Sequence, residues 1–293
     1  MAANNDSNDS YQKCRFDYVS YGFAADLCEK TISSCGPDEL VSFPEAVDSF
    51  FEKFHLTDVI LFRKSGKSEY NADFSGVLES IFNNRRSVRY YQGVEIAAEN
   101  EKTLSSMIQK ERAKADFLAV RSADENVIRA AVDSTDVDVV IPILSNSPRS
   151  AAGKINHIVA KIAADKKTAF GFDIAPFFSL KGYRRSKLFA DVSEMIPILR
   201  KYNVPILLFS GASAVYELRG SYELEAFGRL LGLTQEETSK AIRYSFDLLQ
   251  MRQKKKSGIQ IMQGVEIVPN VQISPDAEIS DGGQCESESD GNC

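Results

Sequence analysis

Short apolar runs recur along the chain between longer segments of mixed polarity. Their residues favour β-branched and aromatic side chains without strict alternation with polar residues, which is typical of strands buried on both faces. The predicted strands are Phe16–Ser20, Val59–Arg63, Gly93–Ala97, Phe117–Val120, Val137–Leu144, Ala169–Ile174 and Ile206–Ser210. The stretch Gly258–Val268 is a candidate for an eighth strand.

Segments with helical periodicity separate the apolar runs. The predicted helices are Asn100–Lys114, Glu125–Ser134, Ala151–Asp165, Arg184–Tyr202 and a last one that runs from Thr234 toward Lys256. Two predicted helix starts have the spacing of a capping box, Ser42 with Glu45 and Thr234 with Glu237. Pro197 lies inside a predicted helix, and we expect it to kink or split that helix because proline lacks a backbone N–H group.

The alternation of strands and helices predicts the fold class. Such an order forms right-handed βαβ units and a parallel sheet. We expect an α/β fold, a TIM-like (β/α) barrel of about seven to eight parallel strands whose closure need not be complete. A doubly wound open sheet is the alternative. The barrel is expected to span residues 13–268, between a disordered N-terminus at 1–12 and a disordered acidic tail at 269–293.

The net charge of −6 is concentrated near the end of the sequence. Beyond residue 273 there are six acidic residues and no Lys or Arg, so the preceding part is neutral. A neutral body with an acidic tail neither requires nor excludes binding to nucleic acid. Local clusters of basic residues are therefore the better indicator of such binding. No run of about 18 apolar residues and no signal-peptide pattern occurs, so we expect a cytoplasmic protein without a membrane span.

Histidine and cysteine are too few and too dispersed for the common metal sites. His55 and His157 are the only histidines, and the five cysteines form no Cys-x-x-Cys pair. Some metal-dependent hydrolase barrels open their first strand with Asp-x-His-x-His, but the matching stretch here, DYVSY, has no histidine. A Mg²⁺ site formed by Asp17, Glu95 and Asp173 is an alternative, although buried acids in a barrel more often pair with arginines.

The last predicted strand, Ile206–Ser210, ends in small residues that precede an arginine on a loop. In a barrel, functional groups lie at the C-terminal ends of the strands, which is where this stretch belongs. Ser210, Gly211 and Ser213 would let a partner approach the backbone closely, and Arg219 would be presented to that partner. The alternative is a tight strand-to-helix connection in which Gly211 has a positive φ angle.

This region carries a resemblance to a known family. The segment SGASAVYELR, from Ser210 to Arg219, resembles the strand-seven block of the archaeal ribonuclease P protein component 3 family, relatives of a subunit of the eukaryotic enzyme. Three further segments are similar to blocks of that family in the same order, NVIRAA at 126–131, INHIVAKI at 155–162 and FDIAPFF at 172–178. The resemblance extends roughly from Phe16 to Met251, with departures at Ala175 and Ser221, where the family usually has arginine and proline.

The resemblance implies a function. Ribonuclease P removes the 5′ leader from precursor tRNA, and its RNA subunit with Mg²⁺ performs the phosphodiester chemistry. This chain would be a protein subunit with no catalytic residue and no bound cofactor of its own. The implied partners are the ribonuclease P RNA, protein component 2, the other ribonuclease P protein subunits and, as holoenzyme substrate, precursor tRNA. A stand-alone metal-dependent hydrolase with a related barrel is the alternative.

Basic clusters supply the candidate contacts, because RNA binding needs cations that neutralise phosphates. The segment Lys181–Lys187 follows the sixth strand and includes Tyr183, whose ring can stack on a base. The alternative interpretation of each basic cluster is a solvated loop or helix end that binds no RNA. The candidate RNA-binding or partner-binding residues are Lys181, Tyr183, Arg184, Arg185, Lys187, Ser210, Gly211, Ser213, Arg219, Arg85, Arg86, Arg89 and Lys154.

Overall fold

The computed structural model describes six stretches of the chain. These are residues 16–20, 51–65, 88–144, 155–256, 260–262 and 265–266. Several sequence predictions lie outside the described residues. They are the capping box of Ser42 and Glu45, the candidate contacts Arg85, Arg86 and Lys154, and the disorder predicted for residues 1–12 and 269–293.

Seven parallel strands form one sheet in the described part of the chain, and each pairs with the next in sequence. The strands are β1 (Phe16–Ser20), β2 (Asp58–Lys64), β3 (Arg89–Ala97), β4 (Phe117–Ser122), β5 (Val139–Pro142), β6 (Ala169–Asp173) and β7 (Ile206–Phe209). This order never reverses, which excludes the doubly wound alternative. The predicted TIM-like (β/α) barrel is confirmed in an incompletely closed form, since no pairing joins β7 to β1 among the described residues.

Seven α-helices are fully bounded within the described stretches. They are α1 (Glu101–Arg112), α2 (Glu125–Asp133), α3 (His157–Lys166), α4 (Ala175–Ser179), α5 (Tyr183–Lys201), α6 (Ser221–Leu230) and α7 (Gln235–Lys256). The side chains of Asn100, Asp124 and Asn156 accept backbone N–H groups at the starts of α1, α2 and α3. Because Asn156 is the cap, α3 begins later than the predicted start at Ala151.

Pro197 does not split its helix. Helix α5 continues through the proline to Lys201, so of the two outcomes expected from the sequence, a kink or a split, the split does not occur. Met195, Ile196 and Leu199 surround the proline and are buried in the core beneath the helix. Burial of these side chains stabilises the last turns more than the missing hydrogen bond weakens them.

The predicted capping box at the start of α7 is confirmed. The N–H of Glu237 donates to Oγ1 of Thr234 at 3.2 Å, and the N–H of Thr234 donates to Oε2 of Glu237 at 2.8 Å. Arg200, near the end of α5, donates to both carboxylate oxygens of Glu237, at 2.6 and 2.8 Å. The hydrogen bonds from Arg200 lower the pKa of Glu237 to about 2.

The predicted eighth strand is wrong. In place of one parallel strand at Gly258–Val268, the structure has β8 (Gln260–Met262) and β9 (Val265–Glu266), which pair antiparallel in a sheet of their own. Two short strands that are close in sequence satisfy their backbone groups locally, so no crossover connection is needed. This pair belongs to a second compact unit of the chain, Lys254–Cys293.

The main sheet has a core on each of its faces. Side chains that point outward pack against the helices, whereas those that point inward fill the barrel interior. The inward residues of the sheet are Ile60, Phe62, Tyr91, Phe117, Ala119, Val139, Ile141, Ala169, Leu207 and Phe209, and α7 adds Leu248 and Leu249. Gly171 is also on the inward side, where a Cβ would lie 2.7 Å from a side-chain carbon of Val139. The interior is therefore a packed core rather than a pore.

Candidate functional site

Three charged side chains meet at the C-terminal ends of the strands. The Nε of Arg121 in β4 donates to Glu95 of β3 at 2.9 Å, and its Nη1 donates to Asp173 of β6 at 2.9 Å. Glu95 is almost completely buried and Asp173 is largely buried. Pairing with one arginine offsets the cost of removing these carboxylates from water.

The alternation of side chains along a strand explains this cluster. Ala119 of β4 faces the barrel interior, so Arg121, two residues further on, faces it as well. Because β5 lies between β4 and β6, the long side chain of Arg121 reaches past Ile141 to Asp173. The cluster is thus the last inward layer of the barrel, and it lies next to the apolar core of the interior.

The connection after β7 is a tight turn. Gly211 has a φ of 63°, and a Cβ at this position would lie 2.6 Å from the Cβ of Asp173. Ser210 is buried, and its Oγ accepts the N–H of Ala212 at 3.3 Å. The turn conformation considered for Gly211 from the sequence is confirmed. The hydroxyl of Ser210 therefore lies inside the turn, whereas the following Ser213 is exposed.

Arg219 is held in one orientation beside this turn. Its Nη1 donates to the carbonyl oxygens of Tyr216 and Leu218, each at 2.7 Å. The guanidinium carbon lies 4.5 Å from the centre of the Phe178 ring, in a cation–π contact. Across the described residues no carboxylate lies within ion-pair distance of Arg219. Its positive charge is therefore not neutralised by an acid in this part of the chain.

The predicted contacts at the start of α5 fall into two groups. Lys181, Tyr183 and Arg184 are exposed to solvent. Arg185 donates its Nε to the carbonyl of Leu180 at 2.7 Å. Lys187 forms an ion pair with Asp191 one turn along α5, and the hydrogen bond of this pair raises the pKa of Lys187.

Arg89 lies at the opposite end of the barrel from the other described candidates. It begins β3 and pairs with Asp58 at 2.8 Å, and the Asp58 side chain is completely buried. Tyr91 donates its hydroxyl to Asp58 at 3.1 Å, and burial together with this carboxylate raises the pKa of Tyr91 to about 12. The geometry gives Arg89 a local structural partner, and its contact with RNA or protein stays a prediction.

The exposed apolar side chains also concentrate at the C-terminal end of the sheet. Those in the segments that follow β5, β6 and β7 are Ile143, Ile158, Phe178, Tyr183, Tyr216 and Tyr222. Leu230, at the far end of α6, is the one other large exposed hydrophobic side chain of the described residues. The exposed apolar side chains are therefore unevenly distributed, and most of them lie at the end of the sheet where the sequence predicts the site.

The sequence analysis missed two members of this region, Arg121 and Phe178. It anticipated that Glu95 and Asp173 would pair with an arginine, but it did not identify which one. A basic residue at the end of a buried strand was the available signal for Arg121. For Phe178, the signal was an aromatic residue that follows the end of β6 instead of lying within the strand.

Among the described residues, no group of three His, Cys, Asp or Glu side chains is placed to hold a metal ion. No described helix has the length and apolar character that crossing a membrane requires.

Comparison with known proteins identifies the family. The model of the family described as RNase P subunit p30 matches residues 53–268. Ribonuclease P protein component 3 of Methanococcoides burtonii is 34% identical over 152 residues, which cover 52% of this chain and 61% of the relative. The corresponding protein of Methanosarcina mazei is 32% identical, with coverage of 52% and 62%. The chain therefore matches less than two thirds of the length of these relatives.

A solved structure supports the fold. A chain in a cryo-EM structure of archaeal ribonuclease P with mature tRNA superposes with a TM-score of 0.67, and the match covers 88% of this chain and 100% of that one. The sequence identity is 18%, so this likeness establishes the architecture alone. The family model matches more than half of the sequence, and on that ground the chain belongs to the RNase P subunit p30 family.

Proposed function

We propose that this chain is a protein subunit of ribonuclease P. In this role it supports the removal of the 5′ leader from precursor tRNA, while the RNA subunit and its Mg²⁺ ions perform the cleavage. The chain binds the ribonuclease P RNA and protein component 2, and it assembles with the other protein subunits in the cytoplasm. Membership of the p30 family and the curated relatives named ribonuclease P protein component 3 support this proposal.

The arrangement of charge at the C-terminal end of the sheet carries the proposal. Glu95 and Asp173 are bound by Arg121, so these inward carboxylates are already occupied by a cation. Lys181, Arg184 and Arg219 lie outside this cluster, where a bound RNA backbone could approach them. This division suits binding of a polyanion better than general acid–base chemistry by these two carboxylates, which would have to be within reach of the substrate.

The alternative of a stand-alone metal-dependent hydrolase is less well supported. It would need a set of ligands at the mouth of the barrel, with an open position for substrate. Arg121 lies between the two inward carboxylates that the sequence offered for that role.

Reconstitution tests the proposed function. The full chain is mixed with the ribonuclease P RNA, the other protein subunits, Mg²⁺ and a labelled precursor tRNA, and the release of the 5′ leader is followed with time. We expect cleavage to slow when this chain is omitted, and the chain alone to cleave nothing. Leader removal that is unchanged by the omission would contradict the proposal. Hydrolysis by the chain alone with Mn²⁺ or Zn²⁺ would favour the alternative.

A further inference from the structure

We propose that the C-terminal end of the barrel has a stacking platform for unpaired RNA bases, formed by Phe178, Tyr183, Tyr216 and Arg219. We call these four residues the aromatic platform. This inference rests on the proposed function and refines it, because it names single-stranded nucleotides, and not duplex RNA, as the ligand of this surface.

A buried cluster of aromatic rings supports the base of the platform. The ring of Phe178 lies 6.1 Å from that of Phe227, which is itself buried. Phe227 in turn packs against Phe177 at 4.8 Å and Phe189 at 5.7 Å. The half-exposed ring of Phe178 is therefore held in place by buried rings before any base binds. Less side-chain entropy is then lost when a base stacks on the platform.

Arg219 adds a flat cationic surface to this base. Its guanidinium group lies over the Phe178 ring, and two backbone carbonyls restrict its rotation. Nucleobases stack on guanidinium planes as well as on aromatic rings. An arginine held in one orientation can offer its plane to a base while its charge attracts the adjoining phosphate.

Two tyrosines extend the platform, one at the first residue of α5 and the other in the turn after β7. Tyr183 is 79% exposed and Tyr216 is 73% exposed, after the adjacent strands β6 and β7. Exposed apolar side chains that are grouped on one surface, unlike single ones, mark interaction sites. Lys181 and Arg184 are exposed beside Tyr183, so the surface combines aromatic rings with positive charge.

The chemistry of the platform selects its ligand. A purely apolar protein segment would cover the rings but would leave the adjoining cations without partners. Duplex RNA would satisfy the cations, but its bases are stacked inside the helix and cannot cover the rings. A single strand satisfies both requirements, since its phosphates meet the cations and its splayed bases meet the rings.

The test compares three probes with the full chain by fluorescence anisotropy. They are a short single-stranded oligouridine, the same backbone with abasic sites, and an RNA duplex of equal length. We expect the base-bearing strand to bind roughly tenfold more tightly than the abasic strand. In the double variant Tyr183→Ala and Tyr216→Ala this preference should disappear, whereas Tyr183→Phe and Tyr216→Phe should keep it. Leu230→Ala, at the far end of α6, is the matched control and should behave as the native chain.

Two results would overturn the platform. The first is equal binding of the base-bearing and abasic strands by the native chain. The second is a double alanine variant that still discriminates between them. If that variant also loses assembly with the protein subunits, the surface binds protein instead.

The outcome for the platform is separate from that for the proposed function. If omission of the chain leaves leader removal unchanged but the preference for bases persists, the proposed function fails and the platform stands. If omission slows leader removal but no preference for bases is found, the platform alone fails.

Discussion

The two ends of the barrel use their charged residues in different ways. At the N-terminal end, Asp138 is fully buried and accepts hydrogen bonds from Arg112 at 2.7 Å, Arg252 at 2.6 Å and the N–H of Leu118 at 2.8 Å. All of these charges are paired inside the protein. At the C-terminal end, a smaller paired cluster around Arg121 lies next to cations and aromatic rings that face solvent.

We infer from this difference that charged residues at the N-terminal end stabilise the fold, whereas those at the C-terminal end bind a partner. Ion pairs at the N-terminal end hold buried carboxylates in place, and their loss should be visible mainly in unfolding experiments. Exposed groups at the C-terminal end contribute little to packing, and their loss should be visible mainly in RNA affinity.

The largest effect is expected from Asp138→Ala. The substitution leaves Arg112 and Arg252 without their shared carboxylate, and it removes the acceptor of the Leu118 N–H. We expect the free energy of unfolding to fall by about 3–5 kcal/mol, measured by urea denaturation.

A matched control for this change is Asp133→Ala. Asp133 is exposed on α2 and forms one long ion pair, at 3.8 Å, with Lys166. This substitution should change the free energy of unfolding by less than about 1 kcal/mol. Equal losses for the two variants would show that burial of Asp138 does not set the stability of the N-terminal end.

Gly211→Ala should affect both stability and binding. The alanine would have to adopt a positive φ angle, and its Cβ would lie 2.6 Å from the Cβ of Asp173, so the turn must shift. We expect a loss of about 1–3 kcal/mol in the free energy of unfolding and a weaker affinity for RNA, because the same turn leads to Arg219. Gly232→Ala is the matched control, because Gly232 also has a positive φ angle but nothing lies within 4 Å of a Cβ at this position. RNA affinity that stays unchanged in Gly211→Ala would separate the turn from the binding surface.

Glu237→Gln should have a smaller effect that depends on pH. The pKa of Glu237 is lowered from 4.5 to about 2 by its hydrogen bonds with Arg200. Its contribution to stability is therefore complete above about pH 4.5 and is lost as the pH falls toward about 2. The variant should be less stable than the native chain by about 1 kcal/mol at neutral pH, and the two should converge in acid. The measurement is urea denaturation at several pH values.

The exposed neighbour Glu236→Gln is the control for this pH dependence. It should reproduce the native stability at every pH. A difference between Glu237→Gln and the native chain that stays constant down to about pH 2 would contradict the assigned role of the ion pair.

The smallest effect is expected from Ser221→Pro, and it should stabilise the protein. Ser221 is the first residue of α6, and its buried Oγ has no hydrogen-bond partner among the described residues. Proline is favoured at this position and would remove the unsatisfied hydroxyl. We expect the free energy of unfolding to rise by about 0.5–1 kcal/mol in urea denaturation. A loss of stability would indicate that the hydroxyl has a partner in solution.

The sequence predicted the parts of the structure that depend on local patterns. The seven parallel strands and the capping box of Thr234 and Glu237 follow from hydrophobic runs and from spacing. The unbroken helix at Pro197 could not be predicted, because burial of the surrounding side chains against the core decides it. The antiparallel pair β8 and β9 was missed because a short apolar run does not specify the partner of a strand.

The candidate site was predictable in its location but not in its composition. The resemblance of Ser210–Arg219 to the family located the region, and the rule for barrels located the end of the sheet. The contacts of Arg121 with Glu95 and Asp173 depend on the register of four strands, which no single segment specifies. Exposure of Phe178 likewise depends on how α4 turns away from the core.

The most direct test of the account compares exposed cations at the two ends of the barrel. One double variant, Lys181→Ala with Arg184→Ala, changes the C-terminal end, and the other, Lys110→Ala with Lys114→Ala, changes exposed lysines at the end of α1. Affinity for the ribonuclease P RNA is measured over a range of salt concentrations for both variants. We predict that the first variant binds more weakly, with a slope against salt that is lower by about one for each lost phosphate contact, and that the second binds as the native chain. Equal losses in both variants, or none in the first, would contradict the assignment of RNA binding to the C-terminal end.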